Sequence, residues 1–230
     1  MPGRSAYPGA QEFLPASGTL SALAAAAREC RGCDLYQDAT QTVFGRGPAA
    51  ATLMLVGEQP GDVEDREGTA FVGPAGRLLD RALGDAGLDG ADLFVTNAVK
   101  HFRWKAGRGQ RRIHDKPTAA QAAACRPWLV AELHAVRPSV VVALGATAAG
   151  SLFGPSFRLT QHRGERLPWP PPAGPFAADD TPVRAALATI HPSAVLRAPE
   201  GERDTAFAGL VADLRTAAGW LADAPGRARR

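Results

Sequence analysis

Apolar residues fall along this chain in two rhythms. Short, almost unbroken runs, TLMLVG (52–57), DLFVTNAV (92–99), SVVVALG (139–145) and RAALATI (184–190), are separated by longer stretches with apolar positions at helical spacing. These stretches are TLSALAAAAREC (19–30), PAGRLLDRALGDAGL (74–88), TAAQAAACRPWLVAELHAV (118–136) and the segment near 202–222. The first rhythm predicts strands and the second predicts helices. SVVVALG is too uniformly apolar to keep a wet face, so it reads as a strand covered on both sides, as in a parallel sheet. The alternation predicts an α/β fold, a three-layer αβα sandwich around a central, mainly parallel four-stranded sheet.

With 230 residues and 45% hydrophobic content, the chain can bury a substantial core, and its length favours one domain, here placed at 18–222. Residues 1–17, rich in Pro, Gly and Ala without periodicity, and the basic tail 223–230 are expected to be poorly ordered. RLPWPPPAGPFAADDTP (166–182) is expected to be a surface loop. No apolar run approaches the roughly 20 residues needed to span a bilayer, and no signal-peptide pattern opens the chain, so a cytoplasmic monomer is expected. A net charge of +3 suits an anionic partner without requiring one. Three cysteines cannot pair off completely. The spacing Cys30-x-x-Cys33 suits a metal or redox motif in a reducing compartment better than a secreted disulfide framework.

In open parallel sheets, ligands bind beyond the carboxyl ends of the strands. The residues there are Gly57-Glu58-Gln59-Pro60-Gly61-Asp62, Asn97, Gly145-Ala146-Thr147 and His191-Pro192-Ser193. Carboxylate, carboxamide, hydroxyl and imidazole groups therefore converge on one edge of the predicted sheet. The stretch FRWKAGRGQRRIHDK (102–116) adds six Lys and Arg residues around two glycines, the composition of a mobile loop able to touch phosphates.

GEQPGDVED (57–65), AFVGPAGRLLD (70–80), VTNAVKHF (95–102), RRIH (111–114) and HPSAVLR (191–197), in this order and with the CxxC, resemble the UdgX family. UdgX proteins are relatives of the iron-sulfur family 4 uracil-DNA glycosylases. The resemblance runs from about Cys30 to about Leu214 and implies the fold described above with activity on uracil-containing DNA, expected to be single-stranded. Uracil must leave the base stack before its glycosidic bond can be reached. The resemblance places Phe71 on the uracil ring and Asn97 on its pairing edge, with Gly57, Gln59 and Asp62 completing the pocket. His191 becomes the donor for charge developing on the uracil oxygen, and Glu58 the anion facing the sugar. Ser193, Arg197, Arg111 and Arg112 are expected to hold DNA phosphates. His114 is implied to attack the sugar C1′ once uracil departs, leaving a covalent histidine-DNA bond. The family loop usually reads KRRIH, whereas Gln110 precedes Arg111 here, a loss of one positive charge that leaves the nucleophile in place. The resemblance also implies a 4Fe-4S cluster held by Cys30, Cys33, His101 and Cys125.

Each role has a plainer alternative. Phe71 also reads as a core aromatic, His191 as a cap before Pro192, Glu58 as a solvated loop end, and Cys3His as a structural zinc set. Two further functions stay open: a turnover glycosylase that releases uracil without an adduct, and an iron-sulfur DNA-binding or redox-sensing module without catalysis.

Overall fold

The computed structural model describes residues 7–89, 92–172, 174–177 and 180–222, with the Gln110 side chain outside that description. The four apolar runs form strands β1 (Leu53–Gly57), β2 (Leu93–Asn97), β5 (Val140–Leu144) and β6 (Ala185–Thr189). A small antiparallel hairpin, β3 (Trp104–Ala106) and β4 (Arg112–His114), stands apart from them. The main sheet has the order β2-β1-β5-β6 and every pairing in it is parallel, with Gly57 opposite Asn97 and Leu144 opposite Thr189. The helices are α1 (Leu20–Ala27), α2 (Asp62–Glu67), α3 (Pro74–Asp85), α4 (Ala119–Val136), α5 (Ala146–Phe153), α6 (Leu159–His162), α7 (Pro192–Arg197) and α8 (Arg203–Ala222). Alternation along the strands sorts the core into two layers. Leu53, Leu55, Val140, Val142 and Leu187 pack with Leu79 of α3, Val195 of α7 and Leu210 of α8. Met54, Val56, Val141, Ala143 and Ala186 pack on the other face with Leu129 and Leu133 of α4 and Leu152 of α5. The three-layer sandwich with a central parallel sheet is thus the observed fold.

Local chemistry explains the element starts. The Thr118 hydroxyl accepts from Gln121 N at 3.2 Å while the Gln121 carboxamide accepts from Thr118 N at 2.9 Å, a reciprocal cap that opens α4. Thr19 caps α1 through Ala22 N, and Pro74 sits at the start of α3, where its missing N–H costs nothing.

Residues 7–17, within a segment expected to be poorly ordered, and the 166–182 segment, expected to be a surface loop, both contribute buried side chains. Gly9 N donates to Gly32 O at 2.9 Å and Ala10 is buried against α4, so residues 7–17 cover the cysteine-bearing layer. In the Pro-rich loop, Leu167 and Phe176 are buried, and the Trp169 and Phe176 rings lie 5.5 Å apart. Aromatic residues within both segments supplied the apolar area that a composition reading discounted. Residues 1–6 and 223–230 lie outside the described residues. No helix among the described residues is long and apolar enough to cross a membrane.

Candidate active site

The strand order makes its turn at β1, which has β2 on one side and β5 on the other. Beyond the carboxyl ends of these strands lies a cleft of about 840 Å³, the place expected for a ligand in a sheet of this topology. Glu58 after β1, Asn97 ending β2, Thr147 in the first turn of α5, and His191 after β6 all line it. Phe71 and the hairpin's His114 line it as well.

Phe71 and Asn97 line the cleft side by side, and Gly57 lies against both. Asn97 is 2% exposed, and its Oδ1 is buried without a hydrogen-bond partner. A buried carbonyl of this kind is costly unless a ligand supplies the donor. Gly57 lies beside it for a steric reason: a Cβ there would stand 2.4 Å from Asn97 Oδ1 and 2.6 Å from Phe71 Cζ. Phe71 has a φ of 55°, a left-handed conformation that is strained for an aromatic residue. Gly76 makes it possible, since a Cβ on Gly76 would fall 2.0 Å from the Phe71 carbonyl oxygen. Phe71 is also part of the core, so its two readings hold together: it packs on one side and presents its ring to the cleft.

Behind Asn97 stands an ion pair that sequence reading missed. Lys100 Nζ donates to Asn97 O at 2.7 Å, to Thr96 Oγ1 at 2.7 Å and to Glu132 Oε2 at 2.6 Å, with both charged side chains wholly buried. Glu132 also accepts from Thr96 Oγ1 and Gly45 N. The only available signal was a Lys and a Glu inside otherwise apolar segments.

His191 is both a cap and a cleft residue. Its Nδ1 accepts from Ser193 N at 3.1 Å at the start of α7, which assigns the ring proton to Nε2. Burial, with help from Arg197 and His114, lowers its pKa to about 4. The ring is therefore neutral near pH 7 and has one N–H to donate. Ser193 Oγ lies 2.8 Å from His191 Nδ1 and accepts from Arg197 Nη1 at 3.0 Å. Leu196, 40% exposed at the same rim, is a large apolar side chain facing solvent beside a charged one.

The basic stretch is a clamped hairpin rather than a free loop. Gln59 Nε2 donates to Arg103 O at 3.0 Å and Asp115 O at 3.1 Å, while Gln59 Oε1 accepts from Arg103 N at 3.1 Å. The Gln59 carboxamide, expected on the substrate, is thus occupied in joining both hairpin ends to the Glu58 loop. Arg112, expected on DNA, turns inward: its Nε meets Asp62 Oδ1 at 2.5 Å and its Nη1 meets Asp65 Oδ2 at 2.7 Å. Two-residue strand alternation decides this, because β4 sends Arg112 one way and Ile113 the other. Asp62 lines the cleft but is engaged by Arg112 and Arg66. Arg111 remains exposed at the hairpin turn. His114 is 49% exposed, with Nε2 3.5 Å from Glu58 Oε1, and Thr147 Oγ1 donates to Glu58 Oε2.

None of the three cysteines lines the cleft; Cys30, Cys33 and Cys125 are buried in a separate cluster with Trp128. Burial pushes the Cys125 thiol up to about 12 and raises Cys33, so an ionised sulfur there needs a compensating cation. Trp128 Nε1 donates to Cys30 Sγ and Lys100 N donates to Cys125 Sγ, each at 3.2 Å. Such contacts suit metal-bound sulfur. His101 is buried, and burial lowers its pKa to about 4, which keeps its lone pair unprotonated. Its Nε2 lies 2.8 Å from Thr42 Oγ1. Among the described residues no three His, Cys, Asp or Glu side chains gather around a single ion position. Three buried thiols and an unprotonated imidazole are nevertheless donor types that suit a soft transition-metal or iron-sulfur site.

A doubly covered parallel sheet with an aromatic ring, a buried carboxamide, a neutral imidazole and a carboxylate at one strand edge defines an α/β protein whose candidate site lies at the strand ends. The sequence profile of the Uracil DNA glycosylase superfamily matches residues 44–215, and the chain belongs to that superfamily. It is 33% identical over 171 residues to the Type-4 uracil-DNA glycosylase of Thermotoga maritima, covering 74% of this chain and 79% of the relative. The Type-4 enzyme of Pyrobaculum aerophilum is 34% identical over 173 residues, covering 75% and 82%. That of Archaeoglobus fulgidus is 40% identical over 124 residues, covering 54% and 58%.

Proposed function

We propose that this protein excises uracil from DNA and that His114 then captures the abasic sugar, the UdgX mode of action. The observation that carries the capture step is the placement of His114 Nε2 3.5 Å from Glu58 Oε1 in the cleft that also holds Asn97, Phe71 and His191. Uracil stacks on Phe71 and is read by Asn97, whose unpartnered Oδ1 accepts the ring N–H. As the C1′–N1 bond breaks, its electron pair goes to uracil, where His191 Nε2–H donates to the oxygen that gains charge. The Glu58 carboxylate faces the cationic sugar. The unprotonated ring nitrogen of His114 adds its lone pair to C1′, and the proton on its other nitrogen passes to Glu58. Apo distances between such groups commonly exceed hydrogen-bond length and tighten with substrate.

Arg111, Ser193 and Arg197 are the phosphate contacts in this reading, and Lys116 at the cleft edge joins them. Cys30, Cys33, Cys125 and His101 would hold a 4Fe-4S cluster, which would tie the segment after α1 to α4 and to the segment leading into the hairpin. The Type-4 relatives favour a second reading, in which water meets the sugar and the protein turns over.

The test mixes the protein with a uracil-containing single-stranded oligonucleotide and resolves the products on a denaturing gel beside His114→Ala. Capture predicts a shifted, denaturation-resistant band in the wild type alone. Alkali-labile abasic product without a band selects the turnover enzyme, and intact uracil in both samples overturns both readings.

A further inference from the structure

Glu58 is the first residue after β1, half-buried, and its two carboxylate oxygens have different neighbours. Oε1 faces His114 Nε2 at 3.5 Å, and Oε2 accepts from Thr147 Oγ1. A carboxylate with one neighbour at 3.5 Å can rotate about its terminal torsion, which is broad and two-fold. A hydroxyl on the other oxygen removes that freedom.

Thr147 is well fixed to do this. It is the second residue of α5, the helix that follows β5, and β5 neighbours β1 in the sheet, so the segments after the two strands adjoin. Gly145 N donates to Thr189 O at 2.8 Å, anchoring the turn into the helix, and the Thr147 carbonyl accepts from Ser151 Oγ at 2.9 Å. In a helix interior a threonine hydroxyl can bond back to the carbonyl three or four residues earlier. At this position those carbonyls belong to β5 residues, Leu144 and Ala143, so the hydroxyl is free to donate outward.

We propose that Thr147 is a positioning residue: its hydroxyl holds Glu58 Oε2 and thereby keeps Oε1 turned toward His114 and the sugar. With Oε1 fixed, the His114 proton has an acceptor at the moment the sugar cation forms. With the carboxylate free to rotate, water competes for that cation. The proposal rests on the glycosylase reading above and extends to the partition between capture and release.

The experiment is single-turnover reaction of wild type, Thr147→Val, Thr147→Ser and Glu58→Gln with the same oligonucleotide, scoring adduct and alkali-labile product separately. Thr147→Val is isosteric and lacks only the donor. It should lower the ratio of adduct to free abasic product about tenfold, the scale of one hydrogen bond to a charged group, while thermal unfolding stays at the wild-type temperature. Thr147→Ser, which restores the hydroxyl, should return the ratio to within a few-fold of wild type. A wild-type ratio in Thr147→Val overturns the proposal. An equal loss in Thr147→Ser also overturns it, since a hydroxyl at this position would then not be enough to maintain the ratio. If the wild type itself forms no adduct, the capture reading fails and the rate of uracil release decides alone. Slowing in Thr147→Val and Glu58→Gln with rescue by Thr147→Ser upholds the positioning role; slowing in Glu58→Gln only removes it.

Discussion

Replacing Lys100 by Met, Glu132 by Leu, and both together should separate the two ways a buried ion pair can act. Both side chains are wholly buried, Lys100 Nζ sits 2.6 Å from Glu132 Oε2, and each has further polar partners: Asn97 O and Thr96 Oγ1 for the ammonium, Thr96 Oγ1 and Gly45 N for the carboxylate. Removing one partner strands an uncompensated charge in the core, which costs about 3–5 kcal/mol. In a chain of this size each kcal/mol moves the melting temperature by roughly 2–4 °C, so either single variant should melt roughly 6–20 °C lower. The double variant removes both charges and fills the space with apolar atoms, and it should be no less stable than the worse single variant. Thermal and denaturant unfolding of the four proteins, with iron content checked in each, measures this coupling. Singles that each cost less than about 1 kcal/mol, or a double equal to their sum, would refute the buried-charge argument.

Gly57→Ala should leave the fold intact yet lower single-turnover uracil release by about 100-fold, because its Cβ would intrude within 2.4 Å of Asn97 Oδ1; wild-type activity would show that the ring does not lie there. Arg111→Ala should reduce the salt dependence of single-stranded DNA binding by up to ~0.7 in the log-log slope. Arg112→Ala should leave that slope unchanged and instead expose the hairpin to limited proteolysis, because Arg112 is clamped by Asp62 and Asp65. For His191, burial lowers the folded pKa to about 4, below the ordinary ~6.5 of the unfolded chain, so between these values the unfolded state binds more protons. The stabilisation of wild type relative to His191→Gln should be complete above pH 6.5 and decline as pH falls toward 4. A flat difference across that window in urea titrations would contradict this assignment.

The reading from sequence succeeded where the signal was local. Each apolar run became a strand within a residue or two of its expected ends, because a run this rich in apolar positions is best satisfied inside a sheet covered on both faces. Four strand ends carried Glu58, Asn97, Thr147 and His191, and the parallel topology alone sent them to one edge. In sequence the hairpin has the look of a basic loop, because its two strands have three residues each and no apolar alternation announces them.

Composition and spacing therefore determined the layers, the sheet and the edge at which chemistry collects. Only the tertiary structure decided direction. It turned Arg112 inward to two aspartates, committed the Gln59 carboxamide to the hairpin, and set Lys100 and Glu132 behind Asn97. It also gave one oxygen of Glu58 to Thr147 and the other to His114. These choices depend on side chains far apart in sequence, Glu58 and Thr147 by 89 positions, meeting at hydrogen-bond distance. Periodicity fixes which face a residue takes within its own element, but not which distant partner waits there.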